Sequence, residues 1–435
     1  MSRCPSIEEA KVVDEESTND RIAKRNRAEK RFRAYGLLSI GLALLILALL
    51  FGSIVIGGSG AFFRGVAVLE IDLDPEQINP DGARTVEALA AGDYSGLIKQ
   101  RLRQFFPEVE GHRNKRNLYR LISIGASYEL RDRVLADPAL VGQLLSIELP
   151  LSDDADLYIK GHVSKAIPES DRKLSDQQIA WLDALMEQDI IKTRFNWNFL
   201  QSGDSREPEL AGIGGALVGS LLTLFVTLLL CFPLGVASAI YLEEFAPKSR
   251  WTDLVEININ NLAAVPSVIF GLLGLAIFLG ALGLTRSAPL VGGLVLAIRT
   301  LPIIIISARA ALAAVAPSIR QAAMGIGASP LQVVNHHVLP AAMPGILTGT
   351  IIGMAQALGE TAPLLMIGMV AFVVDVPTGL ESPATVLPVQ IYLWADAPER
   401  AFVEKTAGAI IVLLGFLISM NGLAVWLRHR FEQKL

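Results

Sequence analysis

The sequence predicts an all-α polytopic membrane protein of six transmembrane helices, with a mostly helical or α+β extracytoplasmic insertion between helices 1 and 2. Hydrophobic residues make up 52% of the chain and charged residues only 19%, a balance too apolar for an ordinary soluble domain. The apolar residues are gathered into runs with few or no charges, long enough for the ~20 residues that a spanning helix needs. One long charged stretch, 64–209, interrupts them.

Residues 1–33 are polar and carry a dense basic cluster: Arg21, Lys24, Arg25, Arg27, Lys30, Arg31 and Arg33. By the positive-inside rule this is a cytoplasmic tail that sets topology. The run Ala34 to Phe63 holds no charge and is too long for a cleavable signal peptide, so 34–63 reads as the first transmembrane helix. Residues 64–209 then change character, with charges throughout and helical segments expected at Arg84 to Phe106 and Asp176 to Ile191. If the first helix runs inside to outside, this is a periplasmic domain of its own, since long loops translocate regardless of charge. It shows no metal-ligand spacing and no catalytic constellation, and His112 and His162 stand alone in the sequence.

Five further apolar segments follow, Ile213 to Ile240, Leu262 to Leu284, Pro289 to Ala311, Gly345 to Val373 and Thr406 to Leu427. Alternation puts the loop Glu243 to Asp253, the segment between the fourth and fifth spans, and the tail 428–435 in the cytoplasm, with both termini inside. Gly, Ala and Ser are plentiful in these spans, as close helix packing in lipid requires. Pro233, Pro266, Pro302 and Pro363 are each expected to break a helix locally. The two cysteines, Cys4 and Cys231, lie in the tail and in an apolar run and imply no disulfide framework. The net charge of −5 disfavours a nucleic-acid partner.

The stretch from Ser318 to Pro363 organises the rest. It reads as two short helices, Ser318 to Ile326 and Pro330 to Val338, joined at Gly327 and closed by Leu339 and Pro340. Ser329 before Pro330, with Gln332 as a capping-box partner, is a strong helix start. Small Ala322 and Ala323 ahead of Gly327 would let another protein approach closely, so the segment reads as a docking surface.

The pattern Gln321, Ala322, Ala323, Gly327, Leu339, Pro340 resembles the EAA coupling loop of ABC-importer permeases. Together with Gly359 to Pro363, Leu387 to Tyr392 and Asn261 to Ser267 it is similar to the PstA phosphate permeases, over about Gly212 to Arg430. Gln321 stands where that loop usually has Glu, and His337 where it usually has Ile. The resemblance implies a type I ABC importer permease fold, with 210–427 as the permease core and 316–344 as its coupling loop. It implies as partners a homologous PstC-like permease, a PstB-like ATPase dimer docked at Gln321, Ala322, Ala323, Gly327, Leu339 and Pro340, and a periplasmic PstS-like binding protein. Phosphate is the implied cargo, in a bacterial inner membrane of lipid, with no cofactor, no metal and no catalytic residue.

Other features agree with a subunit that makes no bonds itself. There is no Gly-Lys dipeptide, hence no Walker A loop, and neither HExxH nor GxSxG occurs. Arg299 and Glu360 are charges within predicted spans, where each costs at least about 2.5 to 3.5 kcal/mol unless paired or wet. They read either as a structural ion pair or as the anion pathway. Ser267 and Thr361, each beside a proline, could offer hydroxyl and backbone donors to an oxyanion, or simply bond their own backbone. Arg309 reads as a residue that snorkels to the cytoplasmic interface. Two other functions stay open at this point: a permease for another oxyanion, and a polytopic scaffold or sensor without transport.

Overall fold

The computed structural model describes residues 7–79 and 85–432, with side-chain detail over 25–79 and 85–430. Two compact units are distinguished, 1–56 and 57–435. The first is a helix that runs on to the edge of the second, Ile7–Gly58. The basic stretch expected as a tail is thus helical from Ile7 onward. Glu, Lys and Arg are good helix formers, and pairs such as Glu29 with Arg33, 2.8 Å apart one turn on, support it.

In the second unit the charged insertion takes the α+β form. Its sheet has three strands, β1 (Phe63–Asp72), β2 (Leu144–Pro150) and β3 (Ile191–Phe195), in the order β2-β1-β3. Both pairings are antiparallel, with Val66 opposite Pro150 and Ala67 opposite Ile191. Helices Tyr94–Phe105, Gly125–Ala136 and Asp176–Glu187 pack on the sheet through Leu97, Leu102, Leu130, Val134, Leu182 and Leu185. The helix expected from Arg84 to Phe106 is two, Val86–Ala90 and Tyr94–Phe105; Arg84 lies outside the described residues. The chain breaks at Gly92 and Asp93, whose side chain caps the second helix by accepting from the Gly96 N–H at 2.8 Å.

Five helices of the described chain are long and apolar enough to cross a membrane, and six if one bent pair counts as a span. That pair corrects the expected single segment Leu262 to Leu284: Arg250–Ala263 and Ser267–Ala281 meet at 99°. Pro266 lacks an N–H and biases its predecessor away from helix, so the break falls there. The expected segment Gly345 to Val373 is corrected too. Its helix is Leu339–Gly359, followed by the short helix Ala362–Met366, which has Pro363 in its first turn. Pro233 and Pro302, by contrast, lie inside continuous helices, Gly214–Ile240 and Pro289–Ala313. Neighbouring helices in the bundle can satisfy the carbonyls a proline leaves free.

The insertion is fastened to the start of the last helix, Ala401–Glu432. Lys160 bridges Asp156 at 2.6 Å and Glu404 at 2.7 Å, and His162 lies 3.3 Å from Glu404. His162, isolated in sequence, is therefore not isolated in space. Lys405 is buried with its Nζ over the Phe199 ring, 4.9 Å from the centroid.

Candidate functional site

Two places gather the sequence-predicted residues, one inside the spans and one at the end where Pro317–Gly325 lies. Inside, Arg299 on Pro289–Ala313 pairs through Nη2 with Glu360, and their side chains are 16% and 17% exposed. Glu360 is the residue that ends Leu339–Gly359, in extended conformation. A helix C-terminus carries partial negative charge, so a carboxylate there needs a cation, and Arg299 supplies it. The pair leaves something over. Arg299 Nη1 is buried and has no hydrogen-bond partner among the described residues.

The surrounding backbone is broken where the helices would otherwise run through. Gly271 lies against Pro363 and Met366, so the helix Ser267–Gly274 packs directly on Ala362–Met366. Any side chain at Gly271 would collide with Pro363. Thr361 precedes Ala362–Met366 and Ser267 opens its own helix, both half-buried. Neither helix start has a side-chain cap hydrogen bond. Arg299, Glu360 and Thr361 are thus brought to one break, and Ser267 to the neighbouring one.

At the other place, Pro317–Gly325 ends in a left-handed turn at Gly327, φ +93°, which a side chain would strain. Ser329 caps the next helix with Gln332 as its partner, as expected: the Ser329 N–H donates to Gln332 Oε1 at 2.9 Å. The second helix does not close at Leu339 and Pro340. Pro330–Val333 passes through a wider turn, Val334–Val338, straight into Leu339–Gly359. This turn and the helix that holds the Glu360 end are therefore one rod.

Of the expected docking residues, Gln321, Ala322 and Gly327 are exposed, and Leu339 and Pro340 are half-buried. Ala323 is not available: it is 5% exposed and packs with Val236, Leu312, Val333 and Val338. A residue next to one that faces out on a helix faces elsewhere, so the two alanines cannot both be surface. What sequence reasoning missed is apolar. Met324, Ile326 and Leu331 stand 51%, 83% and 59% exposed around Gly327.

It also missed an ionic tether. Arg320 pairs with Glu244 at 2.6 Å and donates to the carbonyls of Leu312 and Val315. Arg309 does not snorkel freely but pairs with Glu256 at 2.9 Å and Glu243 at 3.4 Å. The signal was present, since acids of the 243–253 loop and arginines 309 and 320 fall on the same predicted membrane side. Among the described residues no three His, Cys, Asp or Glu side chains gather in a way that could hold a metal ion.

Residues 231–433 match a family described as the binding-protein-dependent transport system inner membrane component, and 19–169 match a domain of unknown function, DUF3333. The phosphate transport system permease protein PstA of Haemophilus influenzae is 30% identical over 227 residues, 52% of this chain and 78% of the relative. A probable ABC transporter permease, YqgI of Bacillus subtilis, is 26% identical over 258 residues, 56% of this chain and 86% of the relative. Among solved structures, the inward-facing MetNI methionine ABC transporter covers 51% of this chain and 94% of its own at 18% identity, with a TM-score of 0.39.

Proposed function

This chain belongs to the binding-protein-dependent transport system inner membrane component family, and we propose that it is the PstA-like permease that moves inorganic phosphate inward. It is an ABC importer permease subunit, a multi-pass inner-membrane protein whose family implies ATPase and substrate-binding partners. The finer reading is that those partners are a PstC-like permease, a PstB-like ATPase pair and a PstS-like binding protein. Both termini then lie in the cytoplasm and the 64–209 domain in the periplasm.

The observation that carries the anion reading is Arg299. A half-buried guanidinium with one nitrogen on Glu360 and another buried and unpartnered has a donor to spare for an oxyanion, and guanidinium matches phosphate bidentately. In the empty state Glu360 holds Arg299. When the ATPases close, movement at Pro317–Gly325 travels along the rod to Glu360 and changes how tightly Arg299 is held, which is alternating access around a central site. The exposed apolar residues Met324, Ile326 and Leu331 supply the contact with the ATPase.

The test is uptake of radiolabelled phosphate under phosphate limitation by cells deleted for this chain and complemented with it. Restored uptake that excess unlabelled sulfate leaves unchanged supports phosphate. Uptake suppressed by sulfate as strongly as by unlabelled phosphate moves the reading to a broader oxyanion permease, and no uptake at all favours a scaffold or sensor.

A further inference from the structure

The inserted domain contains a cavity of about 780 Å³. One wall is the helix His112–Tyr119 and the residue after it, which present Arg113, Arg116 and Arg120. Spacings of three and four residues put all three on one face, spread over about 10 Å of helix at 1.5 Å per residue. None of the three is in an ion pair among the described residues.

Acids line the same cavity. Asp153 and Asp154 open the helix Asp153–Ile159, and Glu207 and Glu209 come from the segment that leads into the spans. Glu209 accepts from the Ser123 hydroxyl on Oε1, while its Oε2 is buried without a partner. Burial, with Asp153 and Glu207 adding to it, pushes this carboxyl up to about 7. The Asp154 carboxyl is raised by burial and by Asp153, and pulled back by Lys173 and Arg400. Lys173, which also lines the cavity, lies 3.8 Å from Asp154, whereas Asp153 and Glu209 are in no ion pair among the described residues.

A ligand with only negative charge would satisfy the arginines and be repelled by the acids, and a simple cation would do the reverse. The volume lies within the range of roughly 300–1,000 Å³ typical of small-molecule sites and far exceeds one tetrahedral oxyanion. We propose that this cavity binds a small zwitterionic organic molecule, its oxyanion group on Arg113, Arg116 and Arg120 and its protonated amine on Glu209 and Asp153. The arginines are exposed when the cavity is empty, so they need not be desolvated until the ligand closes over them. The oxyanion is a phosphoryl or a carboxylate group, both of which fit the guanidinium fork. This inference does not depend on what crosses the membrane.

The test is calorimetric titration of the full-length protein in detergent with phosphoethanolamine, 4-aminobutyrate, inorganic phosphate and ethanolamine. At least one zwitterion should bind tenfold or more tightly than inorganic phosphate, with ethanolamine silent, and the stronger zwitterion identifies the oxyanion. Arg116→Glu should weaken that binding at least tenfold, and Glu209→Gln should weaken it without altering phosphate binding. Because Arg116 is exposed, Arg113→Ala with Arg120→Ala serves as a second variant if the first lowers the unfolding temperature. The inference is overturned if neither zwitterion binds, if phosphate or ethanolamine binds equally well in a manner that Arg116→Glu abolishes, or if the arginine variants leave affinity unchanged; phosphate binding that Arg116→Glu leaves intact belongs to the Arg299 site. Binding of a polyglutamate peptide without binding of either zwitterion overturns it as well.

Discussion

The inserted domain and the spans differ in what they leave exposed. In the domain, Leu69, Leu130 and Leu182 are fully buried, as water demands of apolar groups. In the helix Gly214–Ile240, Leu221, Phe225 and Leu229 are 47%, 57% and 60% exposed, while Gly219, Thr223 and Thr227 face inward. Thr227 Oγ1 donates to the Thr223 carbonyl at 2.9 Å and lies 3.3 Å from that of Gly293. Lipid does not drive leucines together, so close backbone approach and hydrogen bonds hold the bundle. The same amino acid therefore has different worth in the two regions.

The sharpest way to break that comparison is to enlarge a glycine in the spans. A Cβ at Gly219 would collide with the Thr385 backbone carbonyl, whereas one at Gly415 meets nothing within 4 Å. Gly219→Leu is expected to leave no folded protein extractable from membranes, and Gly415→Leu to behave as wild type, as read by size-exclusion yield in detergent. In the domain, Leu130→Ala should lower stability by about 2–5 kcal/mol yet leave the bundle intact. Equal tolerance at Gly219 and Gly415 would refute the packing argument.

Ala323 and Ile326 carry the contrast into the candidate docking segment. Ala323→Trp should damage the fold, because Ala323 is enclosed by Val236, Leu312 and Val338. Ile326→Asp should leave thermal unfolding unchanged and release the ATPase during co-purification, because Ile326 is 83% exposed. An ATPase that stays bound to the Ile326 variant would move the docking contact elsewhere.

Arg299 and Glu360 come next in size. Breaking a fully buried pair by removing one partner typically costs about 3–5 kcal/mol; with side chains 16% and 17% exposed, Arg299→Gln and Glu360→Gln should each destabilise the protein, by less than that. The double variant should regain the stability but not phosphate uptake. Full uptake by the double variant would make the pair purely structural.

Much of this was legible in the sequence because lipid imposes simple rules. Long uncharged runs and a capping box at Ser329 each have one dominant physical reading. The bends were harder, since four prolines looked equivalent and only Pro266 and Pro363 sit at breaks. The difference lies in whether neighbouring helices can satisfy the freed carbonyls, which is tertiary information. Arg299 and Glu360 could be singled out because charge in lipid is expensive, but that they meet depends on Leu339–Gly359 ending at Glu360. The tether of Arg320 to Glu244 and the clasp of Lys160 to Glu404 join residues 76 and 244 positions apart, and no local pattern marks such partners.

The smallest expected effect belongs to pH, and it separates the domain from the spans once more. Glu209 ordinarily titrates at 4.5 and in the fold at about 7, mainly through burial. A carboxyl raised in this way favours the folded state in its protonated form. Its contribution is fully present below about pH 4.5 and is lost as pH rises through about 7. Asp154, raised in the same direction by burial, adds to that slope, so the informative quantity is the difference between wild type and Glu209→Gln. The glutamine keeps an acceptor for Ser123 and cannot ionise. Between pH 4.5 and 8 the wild-type unfolding temperature of the domain should fall relative to the variant by a few degrees, about 2–4 °C per kcal/mol for a domain of this size. Parallel curves over that range would mean that Glu209 titrates in the fold as it does in the unfolded chain, its unpartnered oxygen being met by water.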